Sequence, residues 1–257
     1  MQLARNPFTQ ALAAGDKQIG IWISLCSNFV AEVTAPAGYD WALIDMEHSP
    51  NDYFSVLGQL QAFAASDTTA IVRVEWNDTV AVKRLLDLGA PGILFPMIQS
   101  VEEAHKAVAA TRYPPHGVRG VSGATRATKF GRVTDYVSRA EDEMTVLLQL
   151  ETRAAVEQAE AISEVEGVSG IFFGPADIAA DIGKLGKPMD ADVWALIKPA
   201  AQKLIAKGMP VGTLVMDPVF APELLNEGFT FVACGTDASL LAKASDQLLA
   251  SVKGGLV

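Results

Sequence analysis

The sequence predicts a single (β/α)8 barrel. Three observations carry this: eight short apolar runs recur along the chain, helix-like stretches separate most of them, and no composition shift marks a second domain. The runs are rich in Ile, Val, Leu and Phe, and several show little polar alternation, as in parallel strands covered on both faces. Eight strands alternating with helices within 257 residues fit one closed barrel. A doubly wound open sheet is the alternative. Its usual dinucleotide loop, GxGxxG, is missing here.

The first three runs are IGIWISL (19–25), WALIDME (41–47) and TAIVRVEW (69–76). DTVAVKRLLDLGA (78–90) then has helical spacing, with Asp78 as N-cap and Gly89 as stop. GILFPMI (92–98) is the fourth run. SVEEAHKAVAATRY (100–113) opens on Ser100 with Glu103 three residues later, a capping-box pattern. The connection from Tyr113 to Glu143 is oversized, and loops of that length are usually functional or interfacial. TVLLQLE (145–151) is the fifth run, and ETRAAVEQAEAISEVEG (151–167) reads as a helix ending at glycine. VSGIFFG (168–174) and the helix DVWALIKPAAQKLIAKG (192–208) come next. PVGTLVM (210–216), the helix DPVFAPELLNEG (217–228), FTFVACG (229–235) and the helix TDASLLAKASDQLLASV (236–252) complete the set.

The net charge of −10 argues against nucleic acid, which needs a basic surface. No apolar run approaches the ~18 residues of a membrane helix, and the N-terminal stretch has no secretory pattern. Cys26 and Cys234 are the only cysteines. They read as apolar fillers in a reducing compartment, so the expected location is the cytoplasm.

Active sites of such barrels gather at the C-terminal ends of the strands. There the second run brings Asp45, Glu47 and His48, the third Arg73 and Glu75, the fifth Gln149 and Glu151. The sixth leads into Gly174-Pro175-Ala176-Asp177, and the last two offer Thr213, Leu214 and Asp237. Carboxylates converging on one rim repel one another unless a cation sits among them. Glu151 and Asp177, without cysteine or clustered histidine, suit a hard cation such as Mg2+ or Mn2+. They equally suit capping of the helices that come after them. Gln149 and Glu151 are two apart and share one face of their strand.

His48 is one of three histidines, and a lone histidine is structural or catalytic. Arg73 is the only basic residue within any of the eight runs. It either pairs with an acid or meets a substrate anion. Asp87 reads as part of a solvated helix face. PPHGVRG and RATKFGR form a local basic loop that is solvated, interfacial or attractive to an acidic substrate. A Schiff-base route needs a lysine on a strand, and none of the eight runs contains one.

GYDWALIDMEHSP, RVEWND, KRLLDLGAPGILFPMI, VEEAHKAVAATRYPPHGVRG, LLQLET, GVSGIFFGPADIAADIG and GFTFVACGTDASLLA resemble the HpcH/HpaI-type class II pyruvate aldolases. These are the metal-dependent aldolases related to 4-hydroxy-2-oxoheptane-1,7-dioate aldolase. The resemblance covers nearly the whole chain. It implies a (β/α)8 barrel assembled as a homo-hexamer, a trimer of dimers whose C-terminal helices are exchanged. It implies reversible cleavage of a 4-hydroxy-2-oxo acid into pyruvate, or hydroxypyruvate, and an aldehyde, in the breakdown of aromatic or sugar acids.

The implied cofactor is a divalent ion (Mg2+, Mn2+ or Co2+) held by Glu151 and Asp177, with no organic cofactor. His48 resembles the general base, Asp87 the acid that orients it, and Arg73 the stabiliser of the enolate. That role overturns the solvated reading of Asp87. Gln149, Gly174, Pro175 and the amides of Ala176 and Asp177 would contact the 2-oxo acid. Leu214 and Trp22 would shape the aldehyde side, and Asp45 and Glu47 would hold waters bound to the ion. Two other readings stand beside this one. One is a lyase of acyl-CoA esters resembling citrate lyase, and the other is a non-catalytic, metal-dependent binder of 2-oxo acids.

Overall fold

Eight parallel strands close on themselves in chain order: β1 Gln18–Ile23, β2 Trp41–Asp45, β3 Thr69–Arg73, β4 Gly92–Phe95, β5 Thr145–Leu150, β6 Gly170–Phe173, β7 Val211–Leu214 and β8 Phe231–Thr236. β8 pairs back onto β1. The structure is a computed structural model and describes residues 1–255. All eight expected strands are present, each inside or within a residue or two of its apolar run.

Along each strand, alternate residues face the barrel's interior. Trp41, Leu43, Ile71, Leu94, Leu147, Phe172 and Phe231 fill it. The aromatics need room, and glycine supplies it. A Cβ on Gly20 would fall 2.2 Å from the Trp41 ring, and one on Gly212 would fall 2.2 Å from the Phe231 ring. The intervening residues, such as Ile21, Ala42, Ile44 and Val72, face outward under the helices and form the larger core. Helix α1 (Pro7–Ala14), capped by Asn6, plugs the lower end. Its Phe8 stacks on Trp41 at 5.5 Å.

The outer ring comprises α2 (Asn28–Thr34), α3 (Tyr53–Phe63), α4 (Thr79–Asp87), α5 (Val101–Thr111), the short α6 (Tyr136–Arg139), α7 (Arg153–Glu157), α8 (Ala159–Ser163), α9 (Pro175–Asp181), α10 (Ala191–Ala206), α11 (Phe220–Asn226) and α12 (Asp237–Gly254). Asp78 caps α4 as expected, accepting from the amides of Val80 and Ala81. Ser100 caps α5, but only half the capping box forms, because the Glu103 carboxylate accepts from Gln99 at 2.6 Å. The single helix expected over 151–167 is two short ones, broken at Gln158. Helices α1, α2, α3, α6 and α9 lie outside the expected set. α2 and α9 are seven residues each and α6 only four, too few turns for a periodicity to register.

Two segments depart from the regular β/α ring. The loop between α5 and β5 runs beneath the barrel, at the strands' N-terminal ends. Helix α12 leaves the barrel: Asp237 is buried, holding the Ser24 and Leu25 amides, but every residue from Leu240 to Gly255 is exposed. Among the described residues, no helix is long and apolar enough to cross a membrane.

Candidate active site

At the strands' C-terminal ends the barrel opens into a cavity of about 630 Å³ lined by Trp22, His48, Arg73, Gln149, Phe172, Gly174 to Asp177 and Leu214. Strand alternation aims the polar ones. Asp45 comes after Trp41 and Leu43 on the inward face of β2, and Arg73 after Ile71 on that of β3. Gln149 and Glu151 extend the inward row of Leu147. Register then matters: β2 and β3 pair with Asp45 beside Arg73.

That pair is the most constrained part of the mouth. Asp45 Oδ1 accepts from Arg73 Nε at 2.8 Å and Oδ2 accepts from Nη2 at 2.7 Å. Trp22 Nε1 also donates to Oδ2, and the Glu47 amide donates to Oδ1. Burial pushes the Asp45 carboxyl up, but the Arg73 hydrogen bonds and charge outweigh it and hold the group below the usual carboxylate range. Asp45 is only 2 % exposed. Asp45, expected to hold waters at a cation, has both oxygens engaged by Arg73, Trp22 and backbone amides. Glu47 faces the same guanidinium, with Oε2 2.8 Å from Arg73 Nη1, while Oε1 lies 3.9 Å from His48 Nε2. Arg73 thus has the acid partners one reading gave it, yet it still lines the cavity. It also lies 4.9 Å from the centre of the Trp22 ring, which packs on Phe172.

Glu151 is the second buried centre. Oε2 accepts from the Met97 amide at 2.8 Å, and Oε1 accepts from Gln149 Nε2. It does not cap the next helix; Thr152 does that. Burial, with added repulsion from Glu47 and Asp177, pushes its carboxyl up to about 8, against the opposing hydrogen bonds. Gly174 makes room for it: a Cβ there would sit 2.8 Å from the Glu151 carboxylate. Glycine is needed here for close packing, not for an unusual backbone angle. Asp177 lies exposed in the first turn of α9. The Ala176 and Asp177 amides, also in that turn, have no intrahelical acceptor.

A divalent cation fits this setting. The Glu151 carboxylate is disfavoured by burial and by two nearby carboxylates, and among the described residues none donates a hydrogen bond to the buried Gln149 Oε1. The donors are all oxygen, the preference of a hard ion. Among the described residues no group of three or more His, Cys, Asp or Glu stands ready to hold a metal, so the protein would supply only part of the shell.

His48 projects into solvent at the rim, with 64 % of its side chain exposed. Asp87 does not meet it within the chain. Helix α4 runs from the mouth downward, so Asp87, at its last residue, lies at the opposite end of the barrel. There its Oδ1 accepts from Arg119 Nη2 at 3.1 Å. The basic loop lies at that end too, away from its own chain's mouth. Sequence reasoning missed the Met97 amide, Phe172 and the rim segment of Met216, Asp217 and Pro218. Met97 takes a left-handed backbone angle, φ 52°, for which its side chain gives no signal.

Against known proteins, the family model described as HpcH/HpaI aldolase/citrate lyase matches residues 18–244. A pyruvate aldolase of Rhizobium etli is 50 % identical over 97 % of this chain and 98 % of its own. A 4-hydroxy-2-oxo-heptane-1,7-dioate aldolase of Klebsiella pneumoniae is 48 % identical over 95 % of this chain and 93 % of its own. The crystal structure of an HpcH/HpaI aldolase/citrate lyase family protein from Burkholderia cenocepacia superposes with a TM-score of 0.93. It is 37 % identical and covers 96 % of this chain and 99 % of its own.

Proposed function

The chain belongs to the HpcH/HpaI aldolase/citrate lyase family, and we propose that its barrel mouth is the active site in which Arg73, His48 and the Glu151–Asp177 pair cleave a 4-hydroxy-2-oxo acid. The protein is an aldolase, a carbon–carbon lyase that yields pyruvate and an aldehyde. The observation that carries the site assignment is a fixed guanidinium, Arg73, in the cavity wall close to a buried carboxylate, Glu151, held just behind the lining residues Gln149 and Gly174.

Glu151 and Asp177 would hold a divalent cation, Mg2+, Mn2+ or Co2+. When bound, such an ion draws electron density from a 2-oxo group. The chain's own groups do the rest. The first-turn amides of α9 receive the substrate carboxylate. Arg73, locked by Asp45 and Glu47, sets a permanent positive charge where the C2 oxygen becomes negative, and it needs no reorganisation to do so. His48 accepts the proton of the C4 hydroxyl. The C3–C4 bond breaks, its electrons form the enolate, and the new carbonyl leaves as the aldehyde. Protonation of C3 completes pyruvate. Trp22, Phe172 and Leu214 form an apolar wall on the aldehyde side, which discriminates weakly between acceptors, by ~1–3 kcal/mol per methylene.

We read Asp87 as acting on His48 of a neighbouring copy, since the two groups stand at opposite ends of one barrel. The long basal loop would lie at that contact. Helix α12 supports a second contact between copies. It exposes Leu241, Leu248 and Val252 along one side, while Ile19 on β1 is 45 % exposed beside the place α12 leaves. Exchange of α12 between two chains would cover both, within a hexamer of three such pairs. The unpaired Cys26 and Cys234 fit a cytoplasmic enzyme.

The test is release of pyruvate from 4-hydroxy-2-oxo acids, measured with and without a chelator, in wild type and His48→Ala. Release that is CoA-independent, lost with chelator and lowered at least about a hundredfold in the variant supports the reading. Release unaffected by both would end it.

A further inference from the structure

A second cavity, of about 850 Å³, lies at the other end of the barrel. Its floor is apolar: Leu60 and Phe63 from α3, Ala70 from β3, and Pro91, Ala140 and Met144. Its rim is basic. Arg126, Lys129 and Arg132, all from the long basal loop, line it, and none has a carboxylate within 4.0 Å among the described residues.

Arg126 is the informative one. It is half-buried, it donates Nη1 to the Leu88 carbonyl at 2.7 Å, and burial alone pulls its pKa down with no acid opposing. A guanidinium taken partly out of water without an anion is costly, and an incoming carboxylate would offset that cost. The cavity's own acids do not serve. Glu143 is already held by Arg139 at 2.7 Å and by the Asn6 amide at 2.8 Å, and Asp67 sits on the exposed rim. The loop is held in shape by consecutive left-handed residues, Lys129 at φ 48° and Phe130 at φ 58°. The volume lies within the range of small-molecule sites, ~300–1,000 Å³. In a chain of net charge −10 this is a local positive setting over an apolar floor.

We propose that this basal cavity binds an organic anion with an apolar body, a medium-chain or aromatic carboxylate. Its head group lies against Arg126, with Lys129 and Arg132 at the rim. The site is separate from the mouth of its own chain: α1 and the inward layers of Trp41, Leu43 and Phe231 stand between them. A 2-oxo acid as small as pyruvate has no apolar body to fill it.

The experiment is titration of octanoate onto the full-length, assembled protein by calorimetry, with 1-octanol as neutral control and pyruvate plus Mn2+ occupying the mouth. One saturable octanoate per chain is expected, unaffected by pyruvate and not matched by octanol. Arg126→Gln/Lys129→Gln should weaken it at least about tenfold. Ala64→Phe, which projects a ring into the cavity from an exposed position, should block it independently. No saturable binding in the assembled protein, equal binding of octanol, displacement by pyruvate, or wild-type affinity in either variant would overturn the proposal.

Discussion

Asp45 and Arg73 sit side by side on neighbouring strands and join through two parallel hydrogen bonds of 2.8 and 2.7 Å. The fork-to-fork geometry fixes the guanidinium plane, and Trp22 seals it from one side. We therefore propose that Asp45 serves the reaction by positioning Arg73.

Asp45→Asn tests this. It leaves a buried guanidinium with one fewer charge partner, at a cost of about 3–5 kcal/mol in stability. Denaturant unfolding should register that loss, and kcat for pyruvate release should fall more than KM rises. A variant with wild-type stability and rate would refute the role.

Gly174→Ala places a methyl group 2.8 Å from the Glu151 carboxylate. The carboxylate must turn away from its Met97 and Gln149 donors. Metal affinity should drop by about tenfold or more, while the melting temperature moves by only a few degrees, since the residue borders the open cavity. Unchanged metal affinity would mean that the carboxylate is elsewhere when the ion binds.

The carboxyl of Glu151, pushed up to about 8 from 4.5, gives a pH dependence of definite sign. In metal-free protein the folded state holds this proton more tightly than the unfolded state. The stability it contributes is therefore full below pH 4.5, declines as pH rises and is gone above about 8. A cation competes with that proton, so apparent metal affinity should rise about tenfold per pH unit up to pH 8 and then level off. Glu151→Gln should abolish the slope. The check is a thermal melt with and without Mn2+ at pH 6 and pH 8, where the metal-induced increase should be the larger at pH 8.

If Asp87 reaches the His48 of another copy, inactive variants should complement. Equal mixtures of His48→Ala and Asp87→Asn chains, co-refolded, should regain about a quarter of the sites, because random assembly pairs two intact contributions that often. No recovery would refute a site shared between copies, since within one chain α4 alone separates the two groups by ~13 Å.

The fold was legible because eight Ile- and Val-rich runs survive any error at their ends. The inward direction of Arg73, Gln149 and Glu151 was legible too, since period two is a property of the strand itself. The partner of Arg73 was open, because pairing depends on register between strands that the chain does not state locally. The hydrogen bonds that engage both Asp45 oxygens were hidden for the same reason. The Met97 amide was invisible: a left-handed backbone angle at a methionine is imposed by its surroundings. The placement of Asp87 was within reach, since a helix leaving the mouth must end at the barrel's far side, but helical spacing alone does not carry that direction.

The most direct test of the central claim is a calorimetric titration of Mn2+, with and without pyruvate, onto wild type and Glu151→Gln/Asp177→Asn. The predicted result is one ion per chain, bound more tightly with pyruvate, and no detectable binding of either in the variant. Equal Mn2+ affinity in the two proteins, or pyruvate binding indifferent to the ion, would contradict the claim.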